Sequence, residues 1–168
     1  MPTMNLNGKF TAPWGRELRW MTAVAVAICV GVGLIGLVSL PENHPIARWN
    51  MVAIPLLILL GGACFMVRGY SLGDGQLIIH RLGWTCRLDL ASLKSAAYDP
   101  SAMEKSIRIA GNGGLFAFCG QFRNQKLGNY RVFGTDVRRS VVLRFLDRVV
   151  VVTPDAPERF VAEITKLG

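Results

Sequence analysis

The sequence lacks the clusters of histidine, cysteine and carboxylate that metal sites, disulfide frameworks and hydrolytic centres require. It has only two histidines and four cysteines: His44, His80, Cys29, Cys64, Cys86 and Cys119. No CxxC pair or Cys/His ligand spacing occurs among them, and the carboxylates are scattered without a catalytic spacing. We therefore predict no metal, no cofactor and no enzymatic activity.

Phosphate-binding signatures are also missing. The run Gly111, Asn112, Gly113, Gly114 has neither the GxxxxGK(S/T) nor the GxGxxG spacing. We interpret it as a glycine-rich turn between strands, where glycine permits a positive φ. The formal charge of +8 comes without a recognition motif for nucleic acid, so we predict no nucleic-acid partner.

Charged residues are absent from two long apolar runs, 20–40 and 49–67. At about 1.5 Å per residue, each run is roughly 28–32 Å long as a helix, enough to cross a hydrocarbon core. The short segment 41–48 joins them, which predicts a transmembrane helical hairpin. A cleaved signal peptide and a buried soluble hairpin are the less favoured alternatives. The runs also lack ionisable groups other than two thiols, which argues against a transporter or proton pathway.

Positive residues predict the orientation of the hairpin. Lys9, Arg16 and Arg19 precede the first run and Arg68 follows the second, whereas the connecting loop holds only Arg48. Segment 1–19 and domain 69–168 are therefore both predicted to be cytoplasmic, with the hairpin at 20–67.

After Arg68 the hydrophobic period changes from helical to two. About seven or eight antiparallel strands are predicted between residues 69 and 153. The period changes again near the C-terminus, where Phe160, Val161, Ile164 and Leu167 form the apolar stripe of one amphipathic helix. A bent sheet closed by a single helix is typical of a pleckstrin-homology (PH)-like barrel or sandwich.

Three segments carry a resemblance to a known family. They are YSLGDGQLIIHR (70–81), GNGGLFAFCGQFRNQKLGNYRVFGTD (111–136) and TPDAPERFVAEI near the C-terminus. In this order after two apolar runs, they resemble the bacterial PH-domain membrane proteins. The resemblance implies a PH-like fold and a multi-pass protein of the bacterial inner membrane. It implies no catalytic residue and no particular ligand.

The candidate sites lie within the second of these segments. Arg123, Lys126 and Arg131 form a basic cluster, and the resemblance suggests that it contacts anionic lipid head groups or a partner. A solubilising role is the alternative. Phe116 and Phe118, beside the glycine-rich turn, are predicted either to anchor that turn at the membrane surface or to belong to the core.

The expected function is that of a membrane-anchored, non-enzymatic scaffold or sensor. Its expected partners are the lipid bilayer, an unknown protein or further copies of the chain. The alternative is an accessory or regulatory subunit that packs on a larger membrane protein complex through its glycine-containing hairpin.

Overall fold

The computed structural model describes residues 6–41 and 44–167 and begins with an edge strand and two antiparallel helices. Strand β1 (Leu6–Thr11) is followed by helices α1 (Arg16–Ser39) and α2 (Pro45–Cys64). Only 11% and 6% of the most apolar stretches of the two helices are buried, so the helices are not the core of the domain. Both are long and apolar enough to cross a membrane.

Close packing holds the two helices together. A Cβ added to Gly36 of α1 would lie 2.5 Å from the Cβ of Met51, so only glycine allows α2 to approach this closely. Helix α2 ends at Cys64, earlier than the apolar run 49–67 suggested. The amides of Phe65 and Met66 donate to the carbonyls of Gly62 and Ala63 and end the helix. Val67, the next residue, pairs with Arg81 in a sheet.

The first sheet has four strands in the order β1-β2-β3-β4. Strands β2 (Val67–Gly73), β3 (Gln76–Arg81) and β4 (Thr85–Asp89) form a meander. The turn between β2 and β3 has positive φ at Asp74 and Gly75, as in the tight turns favoured in hairpins. Strand β1 pairs antiparallel with β2, so the N-terminal segment contributes to the sheet.

The second sheet has six strands in the order β5-β9-β10-β8-β7-β6. These strands are β5 (Leu93–Tyr98), β6 (Ile107–Gly113), β7 (Phe118–Asn124), β8 (Gly128–Gly134), β9 (Val141–Phe145) and β10 (Val149–Val152). A short 3-10 turn at Val137–Arg139 precedes β9, and helix α3 (Pro157–Thr165) ends the fold.

The fold class is confirmed: two helices precede a mainly β domain that ends in one helix. Two details differ from the prediction. The described residues form ten strands rather than seven or eight, because β1 and β7 were not expected, and β10 runs parallel to β8. Strand β7 was not predicted because it begins with two adjacent apolar residues, Phe118 and Cys119, which break the apolar–polar alternation. Both side chains are buried in the structure.

The buried apolar residues in the described part of the chain form two cores. The first lies between the sheets and under α3, whose Phe160 packs edge-on against Phe10 of β1 at 5.0 Å. Tyr70 crosses this core, since its hydroxyl donates to the Phe133 carbonyl at 2.6 Å and accepts from the Thr153 amide at 3.1 Å. Burial raises the pKa of Tyr70 to about 12. The second core covers the other face of the six-stranded sheet and includes Leu18 of α1.

Candidate functional site

The glycine-rich segment lies where the domain meets the base of the hairpin, meaning the Arg16 end of α1 and the Cys64 end of α2. Strand β6 continues through Gly113, so the turn comprises Gly114–Ala117 rather than residues 111–114; we call it the β6–β7 turn. Gly111 and Gly114 have φ of +100° and +133°. The Asn112 side chain closes the turn by accepting a hydrogen bond from the Leu115 amide at 2.9 Å.

Thr22 of α1 binds the backbone of this turn. Its hydroxyl donates to the Gly114 carbonyl and accepts from the Phe116 amide, both at 3.1 Å, and the side chain is buried. A single hydroxyl therefore satisfies one donor and one acceptor that the turn presents to the helix.

The apolar residues of the turn pack against α2 and against Trp14, which precedes α1. A Cβ added to Gly62 of α2 would lie 2.7 Å from the Leu115 Cγ and 3.4 Å from the Phe116 ring. The Phe116 ring also lies 6.1 Å from that of Trp14. Phe116 is therefore half-buried between the turn and the hairpin. Phe118, for which a surface anchor and a core position were both open, is only 7% exposed and lies in the second core, so it is not part of the candidate surface.

A second attachment joins the hairpin to the domain through the residues between β1 and α1. The Thr135 hydroxyl donates to the Pro13 carbonyl at 2.8 Å, and the Gly15 amide donates to the Thr135 carbonyl at 2.9 Å. We call the two attachments together the junction. It comprises Pro13–Gly15, Thr22, Gly62, Gly114–Phe116 and Thr135. Because the contacts lie on both helices, the domain is docked on the hairpin rather than tethered to it.

Sequence reasoning missed the hairpin side of the junction. Thr22 is a polar residue inside an apolar run and Gly62 lies in a Gly-Gly-Ala segment, and both were detectable signals. What they contact is decided by chain segments that are distant in sequence.

The predicted basic cluster is only partly assembled. Arg123 and Arg131 share one face of the β7–β8 pair, because Arg123 is opposite Asn129 and Arg131 is opposite Gln121. Both are exposed, and the Arg131 guanidinium lies 5.0 Å from the centre of the Phe133 ring. Ile107 of β6 is opposite Arg123 and is 73% exposed on an edge strand.

Lys126 does not join this face, because it is paired elsewhere. Its ammonium lies 2.5 Å from the Asp99 carboxylate and donates to the Ser101 hydroxyl at 2.8 Å. Burial alone would raise the pKa of Asp99, but the bonds from Lys126 and Ser101 outweigh it and lower that pKa below its ordinary value. The pair ties the β7–β8 turn to the loop after β5.

The nucleophile candidates of the domain are poorly placed for catalysis. Ser71 Oγ lies 2.8 Å from His80 Nε2, but Ser71 is buried within the first sheet, and no carboxylate bonds to His80 in the described ranges 6–41 and 44–167. Burial raises the pKa of the Cys119 thiol despite the nearby Arg81 and Arg131, which favours the unreactive protonated form.

Two packed sheets closed by a C-terminal helix define a PH-like domain, here docked on a helical hairpin. Residues 68–167, more than half of the chain, match the family model described as bacterial PH domain. The chain belongs to this family. No curated protein and no solved structure gives a match.

Proposed function

We propose that the chain is a non-catalytic interaction module anchored in the bacterial inner membrane, with its hairpin across the bilayer and both termini in the cytoplasm. PH domains are generally interaction modules without catalytic activity, which supports the class. The junction is the observation that carries the proposal. It gives the domain a defined height and orientation relative to the hairpin, as a scaffold or sensor at a membrane surface requires.

The anchoring depends on the exposed helices and on the distribution of charge. Two helices of 24 and 20 residues expose most of their apolar side chains, which is costly in water and favourable in lipid. Arg16 and Arg19 lie in the first turn and a half of α1 at the base of the hairpin, Lys9 and Arg68 lie in the strands next to it, and Arg48 is near its other end. This asymmetry favours a cytoplasmic domain.

Reporter fusions test the topology. A fluorescent protein fused at Gly168 should be fluorescent and alkaline phosphatase there inactive, whereas the reverse pattern is expected for reporters inserted after Pro41. Active phosphatase at Gly168 would contradict the cytoplasmic placement of the domain.

Arg123, at the far end of the strand face that it shares with Arg131, fits a protein partner better than the adjacent leaflet. At about 3.4 Å per residue, Arg123 lies roughly 17 Å along β7 from Phe118, which adjoins the turn at the hairpin base. That is about twice the Debye length of about 8 Å at physiological salt. Arg16, Arg19 and Arg68 are closer to the base of the hairpin, and we propose that they meet the anionic head groups.

The chemistry around Arg123 suggests an extended acidic segment as the partner. Among the described strands β6 is the last of the six-stranded sheet, so its outer edge permits addition of a strand. Ile107 supplies apolar contact, and Arg123 and Arg131 supply positive charge on the face of Ile107. A photoreactive amino acid in place of Ile107 should therefore crosslink to a defined protein in cells. The double substitution Arg123→Glu and Arg131→Glu should abolish the crosslinked product. Leu146, an equally exposed apolar residue away from this edge, is the matched control. Equal crosslinking at both positions would contradict a specific edge.

An accessory-subunit function is the second candidate, favoured by the outer faces of the hairpin. A Cβ added to Gly31 or to Gly61 would meet nothing within 4 Å, so both glycines are free to admit another helix. Purification in mild detergent should then give a stoichiometric membrane-protein partner that is lost in Gly31→Leu and Gly61→Leu. A single-species particle, or a homo-oligomer, would favour the first proposal.

A further inference from the structure

The turn between β3 and β4 presents apolar side chains to its surroundings. Residues 82–84 connect the strands, with the Arg81 amide donating to the Trp84 carbonyl at 3.0 Å. Leu82 is 49% exposed and Trp84 is 44% exposed. Turn residues are usually polar or glycine, so two large apolar side chains on one short turn indicate a surface that is covered in use.

This turn is adjacent to the end of α2. The Leu82 amide donates to the Met66 carbonyl at 3.2 Å, and the Trp84 ring packs edge-on against Phe65 at 5.4 Å. Phe65 directly follows the last residue of α2 and is 40% exposed. The side chains of Phe65, Leu82 and Trp84, which we call the turn patch, are therefore continuous with the exposed apolar surface of the helix.

Arg81 supports the patch from within the domain. Its guanidinium carbon lies 5.4 Å from the centre of the Trp84 ring, 5.8 Å from that of Phe65 and 4.9 Å from that of Phe133. The same group donates to the Cys119 sulfur at 2.9 Å. Cation–π contacts on both exposed rings hold them in a fixed arrangement rather than leaving them free to turn back into the fold.

We propose that the turn patch inserts into the boundary between head groups and acyl chains of the leaflet in which α2 ends. This inference rests on the proposed membrane crossing of the hairpin. Continuity with α2 identifies lipid as the occupant, since lipid that surrounds the end of the helix also reaches Phe65 and the rings beside it. An indole and a leucine suit this layer, where apolar side chains enter by about 5–10 Å. The junction fixes the orientation of the domain relative to the hairpin. The contact of the turn patch with lipid additionally fixes the tilt of the domain relative to the bilayer.

Depth-dependent quenching of tryptophan tests the contact in the full chain. Trp14, Trp20 and Trp49 are replaced by Phe, and the protein is reconstituted into phosphatidylcholine vesicles with bromine at a shallow or a deep acyl position. Trp84 should emit at shorter wavelength than a water-exposed indole and lose more intensity to shallow than to deep bromine. In an otherwise native chain, the signal removed by Trp84→Phe should show the same preference, which guards against misfolding of the single-tryptophan protein.

Two single-tryptophan controls separate this contact from the anchoring itself. A chain that retains only Trp49, on α2, reports insertion of the hairpin. A chain whose only tryptophan comes from Ile107→Trp reports an exposed position on β6, the edge strand of the six-stranded sheet. If bromine quenches Trp49 but quenches Trp84 no more than the tryptophan of the Ile107→Trp chain, the lipid contact of the turn patch is overturned and the anchoring of the hairpin stands. Failure to quench Trp49 would overturn both. Protection of Trp84 from bromine and also from aqueous acrylamide would assign the patch to a contact between copies and overturn the lipid contact.

Discussion

Replacing Gly62 by alanine should weaken the docking of the domain on the hairpin, although it adds only one methyl group. The new Cβ would lie 2.7 Å from the Leu115 Cγ, whereas carbon atoms in favourable contact are about 3.5–4.0 Å apart. The clash can be relieved in two ways. Leu115 can change its rotamer and lose its packing against α2, or the turn can move away and break the bonds that Asn112 and Thr22 accept from the Leu115 and Phe116 amides. Overpacking of this kind costs about 1–3 kcal/mol.

Gly61→Ala is the matched control. It makes the same chemical change one residue earlier in α2, and its Cβ would meet nothing within 4 Å. The two variants share the change in helix propensity of about 1 kcal/mol, so that contribution cancels in the comparison. The difference between them therefore measures the contact with the β6–β7 turn.

Amide hydrogen exchange of the full chain in nanodiscs is the assay. If docking is weakened by about 1–3 kcal/mol, the amides of Leu115 and Phe116 should exchange about 5- to 150-fold faster in Gly62→Ala than in Gly61→Ala. Adding Leu115→Ala to Gly62→Ala should remove the clash and recover part of the protection, which a double-mutant cycle would register as coupling. Equal exchange in the two glycine variants would refute the docking of this turn on α2.

Three further perturbations have defined outcomes. Thr22→Val leaves two backbone groups of the turn without partners and should cost about 1–3 kcal/mol, seen as faster exchange of the turn amides; the exposed Thr165→Val should leave them unchanged. Tyr70→Phe should lower the free energy of unfolding by about 1–3 kcal/mol in chemical denaturation, and the exposed Tyr98→Phe by less. Because the pKa of Tyr70 is raised to about 12, its stabilising contribution is present below pH 10 and declines as the pH rises toward 12, and phenolate absorbance should follow that loss. Because the pKa of Asp99 is lowered, its contribution is present above its ordinary pKa of about 3.9 and is lost as the pH falls through the folded value; Asp99→Asn should make Ser101 amide exchange, corrected for intrinsic rates, insensitive to acid.

The choice of protein fragment follows from the architecture. Strand β1 contributes Phe10 to the first core, and Leu18 of α1 is fully buried in the second. A fragment of residues 69–168 would lack both side chains and also the Pro13–Gly15 attachment. Binding experiments therefore need the full chain.

The candidate site shows where local sequence patterns stop being informative. Phe116 and Phe118 are two residues apart in an apolar, glycine-rich run, and no local sequence pattern predicts different environments for their side chains. A positive φ at Phe116 turns the chain, so that Phe116 packs near Trp14 while Phe118 enters the second core. Lys126 and Arg123 likewise look alike in the sequence, as two basic residues of one cluster. In the structure the loop after β5 places Asp99 beside Lys126, and the two side chains form an ion pair.

The sequence by itself determined the features that depend on composition and short-range period. Two apolar helices, a change to alternating strands and a C-terminal amphipathic helix follow from which residues are apolar and how often they recur, because burial depends on repeat and length. Only the tertiary structure decided what the segments contact. The addition of β1 to the first sheet, the position of β10 beside β8 and the docking of the β6–β7 turn on Thr22 and Gly62 all join residues far apart in the chain. Such contacts arise from the packing of whole surfaces, which no local pattern encodes.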